Sequence, residues 1–123
     1  MIAIRGCPTS GDPWDVTAGG VESTSDTSGS IPGVTTTVAN TLVVAAIATS
    51  VPDSTSTAVF SSWANGNLTS VTERIDNARS SGNGGAIGVA TGIKATAGAT
   101  GNTTVTCSNS AVKGMMTIAL KGS

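Results

Sequence analysis

The stretch Thr41–Ser50, Thr-Leu-Val-Val-Ala-Ala-Ile-Ala-Thr-Ser, constrains the fold more than any other part of this chain. Its apolar residues fall on both parities, and it is far shorter than the roughly 18 to 20 residues that a membrane-spanning helix requires. A run of this length between Asn40 and Pro52 reads as a central strand covered on two faces. The rest of the chain agrees with β structure. Val, Ile and Thr make up 40 of 123 residues, while Leu, abundant in helical proteins, occurs three times. β-Branched side chains are stiff at χ1 and pack well on a pleated surface. Disorder usually combines low hydrophobicity with high net charge, and a formal charge of -1 with 38% hydrophobic residues meets neither condition.

Further strands are marked off by turn residues. Residues 1–6 read as a short apolar strand, stopped by Pro8, Gly11 and Pro13. Residues 16–32 are rich in Ser, Thr, Gly and Asp with little periodicity and read as a long loop or irregular edge. A short strand follows at 34–38, then a polar turn at 52–57, and residues 58–63 read as a short strand or an irregular segment that brings Phe60 and Trp63 towards the core. Asn65-Gly66-Asn67 reads as a type I′ hairpin turn, since Asn and Gly tolerate positive φ. Strands are expected at 68–77, 86–95, 103–108 and 112–121, with turns at 80–85 and at Asn109-Ser110. In the last strand Met116, Ile118 and Leu120 share one side and Lys113, Met115, Thr117, Ala119 and Lys121 the other. Seven or eight strands spaced in this way predict one all-β domain over residues 1–123, an antiparallel β-sandwich of jelly-roll or immunoglobulin-like type with long Ser/Thr/Gly-rich loops.

Several kinds of chemistry are excluded or disfavoured. The chain has no histidine, so no imidazole base, histidine metal ligand or histidine pH switch can operate. Its six Lys and Arg residues are scattered, which leaves no basic patch for nucleic acid. The opening Met-Ile-Ala-Ile-Arg-Gly places its apolar residues before the charge, unlike a secretory leader. Paired-carboxylate glycosidase chemistry lacks an aromatic sugar platform, and Gly82-x-Gly84-Gly85-x-x-Gly88 lacks the following helix that a phosphate loop needs. Asn67-Leu68-Thr69 and Asn102-Thr103-Thr104 fit the glycosylation pattern, which matters only in a eukaryotic secretory setting. We expect no enzyme, no cofactor, no nucleic-acid partner and no membrane insertion.

A few residues stand out as candidates. Four of the seven acids, Asp12, Asp15, Glu22 and Asp26, lie in the first 26 residues. Such a loop can offer carboxylates to calcium, with Asp12 and Asp15 as the candidate ligands, although the spacing is not that of a dedicated calcium loop and Asp is common in turns. Trp14 and Trp63 are candidates for stacking on a sugar; the plainer reading is that scarce aromatics plug the ends of the sandwich. Cys7 and Cys107 are either two ordinary thiols or a disulfide closing a loop of about 100 residues, worth up to ~4–5 kcal/mol in the chain-entropy model. Finally, Ile2-Ala3-Ile4-Arg5-Gly6 echoes Ile118-Ala119-Leu120-Lys121-Gly122 position by position. Either two apolar strands ending in a cation and Gly look alike by chance, or both derive from the terminal strand of a repeated module. Under the second reading Ile2, Ile4, Ile118 and Leu120 are assembly residues, and residues 1–6 are an extra strand that pairs with its own sheet or is donated to a neighbour.

The order of these motifs is itself informative. Ile4-Arg5-Gly6-Cys7, then Pro13-Trp14-Asp15-Val16, Pro32-Gly33-Val34-Thr35-Thr36-Thr37, Asn40-Thr41-Leu42-Val43-Val44-Ala45, the stretch from Ala97 through Thr106, and Ile118-Ala119-Leu120-Lys121 together resemble β-sandwich modules of phage virion and tail-associated proteins and of large bacterial surface proteins. The resemblance runs over nearly the whole chain and transfers no catalytic residue. It implies a non-enzymatic structural protein of a bacteriophage particle, a tail or decoration subunit that forms a homo-oligomer and packs against other virion proteins through sheet edges and loops. The alternative it leaves is a glycan-binding or adhesion module on a phage fibre or a cell surface.

Overall fold

The computed structural model describes residues 1–51, 58–79, 81 and 84–122. The expectations for the turn at 52–57 and for Gly82 fall outside them. Among the described residues there is no helix, and eight strands form antiparallel sheets: β1 Trp14–Ile31, β2 Thr35–Thr36, β3 Thr41–Ser50, β4 Phe60–Ala64, β5 Thr69–Arg79, β6 Gly85–Lys94, β7 Gly98–Ala99 and β8 Thr103–Leu120. The main sheet runs β1-β8-β3-β6-β5, with β4 added on β8.

Strand β8 belongs to two layers. Residues 113–120 pair with β3, whereas Thr104, Thr106 and Cys107 pair with β4. Strand β1 accompanies β8 on its other edge along both halves, and their ladder shifts register between Glu22 and Asp26 and between Asp26 and Ser28. Bulges of this kind increase local bend and twist. The β1/β8 ribbon thus turns a corner, so that its far half and β4 lie over β3, β6 and β5.

The core between the layers joins Ile31, Ala45, Ile47, Val51, Val59, Phe60, Ala86, Val105 and Cys107, with Trp63, Ala78 and Met115 packed against them. Two glycines let the layers close. A Cβ on Gly29 would lie 2.7 Å from Ile47, and one on Gly88 2.7 Å from the Phe60 ring and 2.9 Å from Trp63. A second cluster, Val34, Val43 and Ala119, lies at the end capped by the small β2–β7 ribbon. There the Val34 N–H donates to Thr100 Oγ1 at 2.9 Å and the Thr100 N–H to Val34 O at 2.8 Å.

The central strand over Thr41–Ser50 is as expected, with β8 on one side and β6 on the other. Only its odd-numbered residues are buried, however; Ala48 and Ser50 on the opposite face are exposed. Of the two readings of residues 16–32, the irregular edge holds and the loop does not: residues 16–31 lie in the 18-residue edge strand β1, because β8 supplies a backbone partner along nearly its whole length. Three further expectations need correction. The two expected strands at 103–108 and 112–121 are one strand, in which Asn109-Ser110 sits at the corner instead of forming a turn. Asn65-Gly66-Asn67 connects β4 to β5 without a hairpin, since β4 pairs with β8. Its turn rests on the Asn67 N–H donating to Asn65 Oδ1 at 2.9 Å, and its two Asn residues keep ordinary negative φ. Residues 1–5 form no strand ladder.

Candidate functional site

Paired residues of antiparallel strands project to the same face, so the register defines rows across the outer side of the main sheet. One row runs Gly19, Met116, Ala46, Val89, Ile75; the next runs Val21, Gly114, Ala48, Ile87, Asn77. Neither row contains an ionisable side chain. Several members face solvent: Val21 is 83% exposed, Ile87 47% and Met116 46%. Val112, on the same parity of β8, is 46% exposed. Alternation of small and large apolar residues gives this side of the sheet a shallow relief lined by Ala46, Ala48, Ile87, Gly114 and Met116.

The other half of the same face is covered by the chain itself. Residues 1–5 cross it: Ile2, Ala3, Ile4 and Arg5 share a groove with Leu42, Arg74 and Thr91. Ile4 also shares a second groove with Asn40, Leu42 and Leu120. Ile118 and Leu120 are half-buried on this face, opposite Val44 and Leu42. The structure thus gathers all four expected assembly residues on one side of the sheet, through side-chain packing instead of strand pairing. Arg74, donating from Nε to Thr91 Oγ1 at 2.8 Å, lines the first groove, and Lys121 the second.

The inner side contains the one cluster of opposite charges among the described residues. Lys113 projects into the corner of the β1/β8 ribbon, its side chain fully buried. Its ammonium donates to Asp26 Oδ1 at 2.8 Å and to Ala111 O at 3.0 Å, and lies 3.2 Å from Glu22 Oε2. Three acceptors match the three N–H donors of an ammonium. Burial pushes the Lys113 pKa down, but the hydrogen bonds to Asp26 and Glu22 outweigh it and raise the value. The hydrogen bond from Lys113, helped by the Ser28 N–H, holds Asp26 below the usual carboxylate range. Two of the four acids read as a candidate cation loop therefore do hold a cation, and it is a lysine of the same chain. The alternation in β8, which puts Lys113 on the same parity as Thr117 and Ala119, was the signal for this.

The remaining candidates are placed separately. Asp15 accepts from the Thr37 N–H at 2.7 Å and the Thr37 hydroxyl at 2.6 Å, bonds that lower its pKa. It braces β1 against the residues after β2. Asp12 is exposed, and among the described residues no three His, Cys, Asp or Glu side chains converge to hold a metal ion. Trp63 packs against Phe60 with ring centroids 6.3 Å apart and donates its indole N–H to Glu73 at 2.7 Å, so it fastens β4 to β5. Trp14 heads β1 and is 46% exposed. Cys7 and Cys107 are free thiols in different surroundings: Cys7 lies by the Asn40 and Leu120 groove, and Cys107 in the core beside Phe60, where burial raises its pKa. Of the two readings, this structure has the separate thiols. Asp76, not singled out by sequence, accepts from the backbone N–H groups of Val59 and Phe60 at 2.9–3.1 Å and so anchors the start of β4. No helix among the described residues is long and apolar enough to cross a membrane.

The chain matches no known family model, no curated protein and no solved structure.

Proposed function

We propose that this chain is a non-enzymatic structural subunit of a phage particle, a tail or decoration component that assembles with copies of itself and with other virion proteins. The observation that carries this reading is the outer face of the main sheet, where two adjacent rows without an ionisable side chain leave Val21, Ile87 and Met116 in solvent. Contiguous exposed apolar surface on a folded domain marks a contact site. The lack of charge in these two rows suits close packing of identical copies, because packing on them desolvates no ion. The virion setting rests on the motif resemblance. Negative-stain electron microscopy of the purified protein tests the reading, with ordered rings, shells or filaments expected. Dispersed single particles at every concentration would overturn it.

A second reading, a glycan-binding or adhesion module, draws on the exposure of Trp14. An indole at a strand end offers a flat apolar ring to a sugar. That reading requires a shift in tryptophan fluorescence on adding sugars, lost in Trp14→Ala and kept in assembly-defective variants.

A further inference from the structure

Residues 1–6 are attached to the fold in an unusual way. Among the described residues they contribute no ladder pair and no backbone–backbone hydrogen bond. What holds them is the apolar contact of Ile2 and Ile4 with the sheet face, and that contact is incomplete, because Ile2 stays 40% and Ile4 39% exposed. The connection to β1 passes through Gly6 at φ 80° and Gly11 at φ 74°, each with open space where a side chain would be. Positive φ at two glycines within six residues gives the segment inexpensive points of rotation. Beyond its edge the apolar face continues, uncovered, through Ala46, Ala48, Ile87, Gly114 and Met116.

From these observations we infer that residues 1–6 are an exchangeable assembly segment: Ile2 and Ile4 of one copy occupy the groove of a second copy lined by Leu42, Arg74 and Thr91. This rests on the assembly reading above and specifies its partner and contact. The groove already shows what chemistry it accepts, an Ile-x-Ile segment of this sequence. The same contacts form whichever copy supplies the segment, so exchange costs none of them. It gains the burial of the remaining apolar patch, which a closed single chain leaves in water and a neighbour held by its segment would cover. The two central rows add no charge repulsion between copies.

The test uses two full-length variants in a Cys7→Ser background, Ile4→Cys and Leu42→Cys, whose new thiols line the same groove. Mixed and mildly oxidised, they should form a disulfide-linked dimer several-fold in excess of either homodimer. The double variant Ile4→Cys/Leu42→Cys should yield linked dimers and larger species. Light scattering on wild type and on Ile2→Asp/Ile4→Asp, with melting curves to confirm that both are folded, provides the second readout. Loss of the oligomer in the folded Asp variant supports the exchange. If the double variant closes only within a single chain while wild type is still oligomeric, the exchange is overturned and the assembly reading stands. If wild type is monomeric at every concentration, both fall.

Discussion

The two sides of the main sheet are built from alternate residues of the same strands, yet polarity does not separate the core from the surface. In β8 the inward residues are Lys113, Met115, Thr117 and Ala119, while the outward ones are Val112, Gly114, Met116, Ile118 and Leu120. The buried side thus holds a lysine and a threonine, and the open side holds the larger apolar groups. What distinguishes them is proximity. The inner side has carbonyls and carboxylates within hydrogen-bond reach, from the end of β1 and from the corner of the β1/β8 ribbon: Thr117 donates to Pro32 O at 2.7 Å and Thr49 to Val112 O at 2.9 Å, and Lys113 has Asp26, Glu22 and Ala111. Buried polar groups are tolerated when they are satisfied. The outer side has apolar residues without a second layer.

The largest test of this contrast removes the partners of Lys113. Glu22→Ala/Asp26→Ala leaves a fully buried ammonium with one carbonyl, and this double variant should show the largest loss in chemical denaturation of all the variants considered. Lys113→Met removes the charge instead and leaves two partly exposed carboxylates that water can serve; it should fall within about 1 kcal/mol of wild type or exceed it. Equal losses in the two proteins would mean that the lysine stem, not the satisfied charge, holds the corner.

Next in size is the difference between two glycines. Gly88→Ala places a Cβ 2.7 Å from the Phe60 ring and should cost about 1–3 kcal/mol by overpacking. Gly114→Ala meets nothing within 4 Å on the outer side and should be neutral or stabilising by up to about 1 kcal/mol, since glycine is entropically costly in a strand. Matching effects would show that the outer side is as tightly covered as the inner.

The same contrast explains what could be read from the sequence. Thr41–Ser50 was legible because a strand in mid-sheet is apolar whatever its neighbours do. Residues 16–32 were legible only as far as an irregular edge, because Ser23, Ser25, Ser28 and the glycines offset the strand preference of Thr17 and its like; the ladder to β8, which runs from Trp14↔Leu120 to Ile31↔Thr103, imposes the strand. Glu22 and Asp26 were noticed as acids able to hold a cation, but pairing them with Lys113 required knowing that the first long strand lies beside the last. Ile2, Ile4, Ile118 and Leu120 were found through a repeat in sequence, which survives any error in topology. How residues 1–6 sit was not legible, since an Ile-x-Ile pattern is the same in a ladder and across a sheet face.

A smaller effect separates neighbours in one strand. Thr117→Val removes the donor to Pro32 O and should cost about 1 kcal/mol, as for a typical intramolecular hydrogen bond. Met116→Thr, one residue away and outward, should change the folding free energy by no more than about 0.5 kcal/mol while weakening the oligomer in light scattering. Weakened folding without an effect on assembly would contradict the assignment of that side as a contact surface.

The smallest effect is in pH. Asp26 has a folded pKa below its ordinary value of 3.8, so its contribution is present above that value and is lost as pH falls through the folded pKa. Lys113 has a folded pKa above its ordinary 10.5, so its contribution is present below that value and is lost as pH rises past the folded one. Between these limits the cluster adds no slope to stability. Asp15, also lowered, adds to the acid limb with the same sign. Melting temperatures should therefore be flat near neutrality and fall in strong acid, less steeply in Asp26→Asn than in wild type. The two central rows of the outer face contain nothing that titrates, so oligomer size should stay constant while the protein remains folded. An acid limb unchanged in both Asp26→Asn and Lys113→Met would assign the sensitivity to Asp15 and its bond to Thr37, moving it from the inner corner to the start of β1.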